Sequence, residues 1–376
     1  MIPDNVRYAI LLSLSMVISL VVAGLLYVTL PMGTAIVAGF GVEAGRAPLI
    51  STAYGLPFAV GFLVWGAASD RWGRDRIVVL GLVLTAAASV GVALAGNFQL
   101  LLFARAAQGF VASAVLPGIL AIVTSRLPPS LRPMGVSLIS LCFLLAAPLA
   151  QQLGAAFEGG LRPIMGFVAP LLLLSACGVW LQAERDPPLA ASGRPRRSIS
   201  LHREHVVLAT WASAATMLFA YVMFNAALQI LPATSAVDQA SVRMVFLPTM
   251  LMALVGGVLV GRYGPLRIAQ LGMACIVAGL TIAMIGTASA VISGAVVMTA
   301  GVAIAVPSLI ATVATYAHPS ERGLGLAIYS FVIYAGASAA PVVANAFAAA
   351  GFATMCLIPA GLSLLGLLGL LAVSRK

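Results

Sequence analysis

The sequence predicts an all-α membrane protein in which twelve transmembrane helices form two six-helix bundles that are parallel repeats. Three observations support this fold class: long uncharged stretches, basic residues gathered on one side of the predicted membrane, and motifs that recur at a nearly constant offset. Only 8% of the 376 residues are charged, whereas 62% are hydrophobic. This composition excludes a soluble globular domain.

Uncharged stretches define the spans, because crossing a bilayer takes about 20 apolar residues. Lipid offers no partners for free backbone groups, so the spans are predicted to be helices. The first apolar run is longer than the core of a cleavable secretory signal, and we expect it to stay in place as a span. The twelve predicted helices cover residues 8–30, 47–68, 77–95, 100–125, 134–157, 164–182, 206–231, 242–260, 268–286, 290–315, 324–348 and 352–373.

Basic residues predict the orientation of the chain. The net charge is +10, and 16 of the 20 basic residues fall on the inner side when the amino terminus is placed inside. This distribution follows the positive-inside rule and supports an even number of crossings. We expect an integral protein of the inner (plasma) membrane with cytoplasmic amino and carboxyl termini. The positive charge therefore indicates topology, and no nucleic-acid partner is expected.

No group of residues resembles a catalytic or metal site. The four cysteines lie in separate predicted spans, without the spacing of metal ligands, and the three histidines lie in loops. We therefore expect no enzymatic activity, no metal and no cofactor.

Short motifs recur in the same order in both halves. Residues 129–135 are matched by 319–325, and Ala146-Ala147-Pro148 recurs as Ala339-Ala340-Pro341. An even number of crossings separates the copies, so the halves are predicted to be parallel repeats. The predicted domains are an N-terminal bundle at 1–182, a cytoplasmic linker at 183–205 and a C-terminal bundle at 206–376.

A charged turn joins the second and third predicted helices. It reads Gly66-Ala-Ala-Ser-Asp70-Arg71-Trp-Gly73-Arg74-Asp75-Arg76, with five charges in seven positions. Charge at this density must lie outside the hydrocarbon. The second half carries a related sequence at 257–267, in which Gly261 replaces Asp70.

These residues resemble the major facilitator superfamily over the whole chain. The turn matches the family signature Gly-x-x-x-Asp-Arg-x-Gly-Arg-x-Arg, and Arg105-Ala-Ala-Gln108-Gly109 is similar to an element of its twelve-helix drug–proton antiporters. In helix five those antiporters carry Gly-Pro with flanking glycines, whereas this chain has Ala147-Pro148. The resemblance implies a monomeric secondary transporter that works by alternating access. It favours proton-coupled efflux of a small drug-like or metabolite molecule. The alternative function is that of an uptake symporter or facilitator for a metabolite.

The resemblance also implies that the charged turn forms an interior gate. Asp70 would face the start of helix eleven or pair with an arginine, and the glycines would allow a tight turn and close helix approach. The expected gating residues are Gly66, Asp70, Arg71, Gly73 and Arg74.

The proton carrier is not evident. An embedded carboxylate would serve, because burial makes it titratable, yet all ten acids lie in loops or at helix ends. Glu43, Asp70 and Asp238 are the remaining candidates.

Polar residues within spans are the candidates for substrate or coupling contacts. Arg105 either reaches outward to the interface or faces a cavity together with Gln108, three positions along the same helix. Tyr54 is either cavity-facing or an interfacial aromatic residue. Further candidates, which either line a cavity or bond other helices, are Gln151 in helix five, Tyr221, Asn225 and Gln229 on one face of helix seven, and Asn345 in helix eleven.

Overall fold

The computed structural model describes residues 3–128, 130–157, 160–183, 205–229, 239–317 and 322–374. These ranges are almost entirely helical and contain no strand. The α-helices are α1 (Asp4–Tyr27), α2 (Gly33–Gly39), α3 (Pro48–Trp72), α4 (Arg74–Ala93), α5 (Phe98–Ala112), α6 (Val115–Arg126), α7 (Arg132–Ala156), α8 (Leu161–Leu181), α9 (His205–Gln229), α10 (Gln239–Met250), α11 (Met252–Tyr263), α12 (Pro265–Ala283), α13 (Ala288–Tyr316), α14 (Arg322–Phe347) and α15 (Gly351–Ser374).

The chain forms two compact units, Met1–Arg196 and Arg197–Lys376. Helices α1–α8 belong to the first unit and α9–α15 to the second. Nearly all of the predicted linker, residues 184–204, lies outside the described residues.

The helices confirm the all-α membrane fold. Ten helical stretches in the described ranges are long and apolar enough to cross a bilayer. Leu324–Ser374 is a single stretch of 51 residues in this count, although a positive φ of 86° at Gly351 separates α14 from α15. Leu247–Tyr263 is a shorter apolar segment and overlaps most of the predicted eighth span. Each of the twelve predicted spans therefore has a helical counterpart.

Three predicted spans differ in detail from the structure. The first ends at Tyr27 because Pro31 has no N–H to bond the Tyr27 carbonyl and continue the helix. The fourth is divided into α5 and α6 around Ser113, whose carbonyl would need the N–H that Pro117 lacks. The eighth is divided into α10 and α11 at Leu251.

Helix ends repeat between the two units. Gly73 links α3 to α4 with φ +92°, and Gly264 links α11 to α12 with φ +86°. Such backbone is strained for residues with a Cβ, which explains glycine at both positions. Asn97 caps α5 through the Leu100 N–H, and Thr287 caps α13 through the Ala290 N–H. The predicted loop is therefore the single residue Gly73, and Asp70 belongs to the last turn of α3.

Close helix packing in the first unit depends on small residues. Helix α1 packs on α7 with Gly24 against Ala150, where a Cβ on the glycine would lie 3.3 Å from that of the alanine. Helix α3 packs on α5 with Gly109 against the backbone of Tyr54. Small residues let helix backbones approach closely in lipid, where dispersion and hydrogen bonds drive association. These contacts join α1 to α7 and α3 to α5, and all four helices carry residues in or beside one buried polar cluster.

Candidate functional site

Arg105 is the centre of a buried polar cluster in the first unit. Its side chain is 0% exposed although it lies within the apolar stretch Phe98–Arg126. Nη1 donates a hydrogen bond to Oε1 of Gln108 at 2.7 Å. The two side chains meet because residues three apart share a face of a helix.

The guanidinium also bonds the end of α1. Nη2 donates to the backbone carbonyl of Leu25 at 2.9 Å. Leu25 lies in the last turn of α1, where carbonyls lack partners within the helix and a cation is electrostatically favoured. The alternative in which Arg105 reaches outward to the membrane interface is therefore wrong, because the side chain is fully enclosed and bound to a neighbouring helix.

Tyr54 forms one wall of the cluster. The Arg105 Cζ atom lies 4.4 Å from the centroid of the Tyr54 ring, within the range of a cation–π interaction. The Tyr54 hydroxyl donates to the Val22 carbonyl at 3.3 Å, and its side chain is 0% exposed. Of the two alternatives for Tyr54, the buried side chain contradicts the interfacial aromatic residue. Gly109 allows the Tyr54 backbone to lie this close to α5, because α3 and α5 touch at that residue.

Gln108 extends the cluster to two more helices. Its Nε2 donates to Ser89 Oγ on α4 at 2.7 Å and lies 3.4 Å from the Met165 sulfur on α8. The Ser89 hydroxyl donates in turn to the Thr85 carbonyl at 2.7 Å. Hydrogen bonds thus connect α1, α4 and α5 through two side chains of the Arg-x-x-Gln element.

Gln151 lies beside the same turn of α1. The neighbouring Ala150 faces Gly24, and Gly154 faces the Val28 carbonyl, so α7 runs along the end of α1 at this level. The Gln151 side chain is 1% exposed. In the described ranges, its Nε2 atom and the Nε atom of Arg105 are buried without a hydrogen-bond partner.

The candidates in the second unit lie in two places. Tyr221 and Asn225 are buried on α9, and Asn225 Nδ2 donates to the Tyr221 carbonyl at 2.9 Å. Gln229 is the last residue of α9, and its side chain lies outside the described part of the structure. Asn345 is exposed on α14.

The predicted gate residues occupy the junction of α3 and α4. Arg71 is exposed in the last turn of α3, and Arg74 is half-buried at the first position of α4. The Asp70 side chain is not among the described atoms. A Cβ added at Gly66 would meet no described atom within 4 Å.

An ion pair near this junction was not predicted from the sequence. Arg126 at the end of α6 pairs with Asp75 in the first turn of α4, and its Nη1 donates to the Gln182 carbonyl at 3.0 Å. The partners are separated by 51 residues, and no motif relates their positions. The pair joins the start of α4, the end of α6 and the residue after α8.

The fold and the Arg105 cluster together define a class of protein. It is a membrane protein that consists of two parallel helical repeats and holds a buried cation within a span. The chain belongs to the Major Facilitator Superfamily, whose family model matches residues 12–240 and 239–376.

Several relatives share part of the sequence. A 3-(3-hydroxy-phenyl)propionate transporter of Escherichia coli (strain K12) is 32% identical over 146 residues, 36% of this chain and 36% of that protein. The probable multidrug resistance protein EmrY of the same organism is 25% identical over 119 residues, 31% of this chain and 23% of the relative. Multidrug resistance protein 3 of Bacillus subtilis (strain 168) is 32% identical over 108 residues, 28% of this chain and 21% of the relative. The matched segments thus span about a third or less of each relative's length.

A solved structure shares the fold over nearly the whole chain. The human organic anion transporter MFSD10 (TETRAN) aligns with a TM-score of 0.70 at 18% identity, covering 98% of this chain and 100% of that one. At this identity the likeness concerns the fold alone.

Proposed function

We propose that this protein is a secondary transporter of the inner membrane that exports small organic molecules in exchange for protons. The observation that carries the proposal is the Arg105 cluster, a fully buried cation held by polar groups inside a span. A charged residue within a membrane is costly and marks a substrate or ion pathway. Alternating access would expose one substrate site in turn to each side, as the repeated architecture allows.

Similarity supports the export direction. The Arg105-Ala-Ala-Gln108-Gly109 element resembles that of drug–proton antiporters, and two of the relatives are multidrug resistance proteins by name. The lipid bilayer, protons and a small-molecule substrate are the proposed partners, for a monomer with cytoplasmic termini.

A second candidate function is metabolite uptake or facilitated diffusion. The acids in the described ranges are Asp4, Glu43, Asp70 and Asp75, and none of them lies in the middle of a span. A transporter without an embedded carboxylate has no evident proton carrier among these residues. The relative named for 3-(3-hydroxy-phenyl)propionate transport also fits this alternative.

The remaining polar candidates are assigned by position. We propose gating roles for Gly66, Asp70, Arg71, Gly73 and Arg74 because they surround the junction of α3 and α4. Residues proposed to contact substrate or to support coupling are Tyr54, Arg105, Gln108, Gln151, Tyr221, Asn225, Gln229 and Asn345.

Reconstitution tests the coupling. Compounds that become toxic to a host when the gene is deleted would be loaded into proteoliposomes, and their flux would be followed under an imposed pH gradient. We expect the gradient to drive flux opposite to proton flow and a protonophore to abolish this effect, with protein-free liposomes as the control. Flux that ignores the gradient would favour the facilitator. Rates typical of an open pore would contradict the transporter itself.

A further inference from the structure

Arg105 carries a positive charge that the described part of the protein does not neutralise. Its contacts are the Gln108 amide oxygen, the Leu25 carbonyl and the Tyr54 ring, all formally neutral. The end of α1 contributes a negative dipole equivalent to about half a unit charge. In the described ranges, Arg126 and Asp75 form an ion pair away from this cluster. A positive charge therefore remains buried among formally neutral groups.

The cluster also has more donors than acceptors. A guanidinium has only donors, and a glutamine amide nitrogen donates twice. Among the described residues, Arg105 Nε and Gln151 Nε2 are buried donors without acceptors. Burying an unsatisfied donor is costly, so both groups favour a ligand that brings oxygen atoms.

Both donors lie next to the same turn of α1. Arg105 approaches it from α5 through the Leu25 carbonyl, and α7 approaches it through Gly24 and Val28, which flank Leu25. Gln151 is on the stretch of α7 between the two residues that touch Gly24 and Val28. A small anionic group at this turn would therefore lie beside the charge of Arg105 and between the two helices, α5 and α7, that carry the free donors.

We infer that the Arg105 cluster binds the carboxylate of a small organic anion, so that organic anions are the substrate class. The inference rests on the proposed transport function for its physiological role, and the binding site itself is defined by Arg105, Gln151 and Tyr54. A carboxylate accepts hydrogen bonds from several directions and bonds strongly to a guanidinium. An amine would bring a second positive charge and further donors, and a neutral amide would leave the charge uncompensated. Since Arg105 and Tyr54 are both 0% exposed, the ligand enters only when the cluster opens.

Charge-matched ligands test the inference. The first series of probes is 3-phenylpropionate, 3-phenylpropionamide and 3-phenylpropylamine. Two further series consist of benzoate and octanoate, each with its own amide and amine. Within each series the carbon skeleton is kept and only the polar group changes. Binding is measured by calorimetry on the full chain in nanodiscs of neutral phosphatidylcholine. We expect at least one carboxylate to bind about tenfold or more tightly than its amide and amine, as charge-assisted hydrogen bonds require.

Variants of Arg105 give the second arm of the test. Arg105→Gln keeps a donor for the Leu25 carbonyl and removes the charge, so carboxylate affinity should fall about tenfold or more. Arg105→Lys should retain part of the affinity because it keeps the charge. Arg162→Gln is the matched control, since Arg162 Nε also donates to a carbonyl at a helix end, Ala93, at 2.9 Å but is exposed. Its carboxylate affinity should equal that of the unmodified protein.

The outcomes separate this inference from the proposed function. Equal binding of acid and amide, binding that Arg105→Gln leaves intact, or no carboxylate binding in any series would overturn the anion site. If amides or amines cross proteoliposome membranes and the acids do not, the result supports the proposed transport function and contradicts the anion site. If an acid binds through Arg105 and yet crosses no faster than in protein-free liposomes, the result supports the anion site and contradicts the proposed transport function.

Discussion

Replacing Gly109 with alanine would disturb the contact that holds α3 against α5. A Cβ at this position would lie 2.9 Å from the Tyr54 carbonyl carbon and closer still to its oxygen. Ordinary van der Waals contact begins near 3.4 Å, so the Tyr54 backbone would have to move by at least 0.5 Å. The obstacle is backbone, which cannot rotate away as a side chain could. Helix α3 must therefore shift, and the Tyr54 ring shifts with it.

The expected cost has two parts. Overpacking a tight contact costs about 1–3 kcal/mol. Moving the Tyr54 ring away from Arg105 weakens a buried cation–π interaction of about 0.5–2 kcal/mol. We expect Gly109→Ala to be about 2–4 kcal/mol less stable than a matched helical substitution, which for a unit of this size lowers the unfolding temperature by at least about 4 °C.

Gly166→Ala is the matched control. Gly166 lies inside α8, and a Cβ there would meet no described atom within 4 Å. Both substitutions gain the same helix propensity of about 1 kcal/mol, so the difference between them isolates the clash. Unfolding would be followed with a thiol-reactive dye that reports exposure of the buried Cys142 and Cys356, at one scan rate for all variants. Equal unfolding temperatures for Gly109→Ala and Gly166→Ala would refute the packing argument.

Three other predictions concern the Asp75–Arg126 ion pair, Asp70 and the topology. Asp75→Asn and Arg126→Gln should each destabilise the protein by about 1–3 kcal/mol, because each breaks the same partly buried ion pair. The double variant should therefore lose less stability than the sum of the two single losses. Additive losses of stability in the same dye assay would show that the two residues are not coupled. Asp70→Asn should strongly reduce transport while expression and membrane insertion stay normal, as expected of a gate; unchanged flux in proteoliposomes would remove Asp70 from the mechanism. Cysteines introduced at Arg196 and Arg262 should react with impermeant thiol reagents only from the cytoplasmic side of the membrane, because the positive-inside rule predicts that both positions lie there. Labelling from opposite sides would contradict the predicted topology.

The sequence predicted parts of the Arg105 cluster and missed others. Helical spacing alone placed Arg105 and Gln108 on one face, because residues three apart lie one turn along. The Leu25 carbonyl could not be predicted, since it is 80 residues away and belongs to the backbone, which carries no residue-specific signal. Ser89 and Met165 were missed for the related reason that small polar and apolar residues in spans usually serve packing.

The sequence likewise predicted some features of the gate region and missed others. The signature pointed correctly to a glycine turn, because φ +92° at Gly73 is a conformation that residues with a Cβ rarely adopt. The pairing of Asp75 with Arg126 escaped prediction, since Asp75 was simply one of five charges in a dense cluster. Beside Gly66 the described structure has open space, so the proposed role of this glycine stays a prediction.

The amino-acid sequence by itself determined the number of spans, their helical form and the twofold repeat, since hydrocarbon imposes a length of about 20 apolar residues and internal backbone bonding on every crossing. Only the tertiary structure decided what surrounds Arg105. Which helices become neighbours depends on where small residues such as Gly24 and Gly109 allow close approach, and that is a property of surfaces that meet in space.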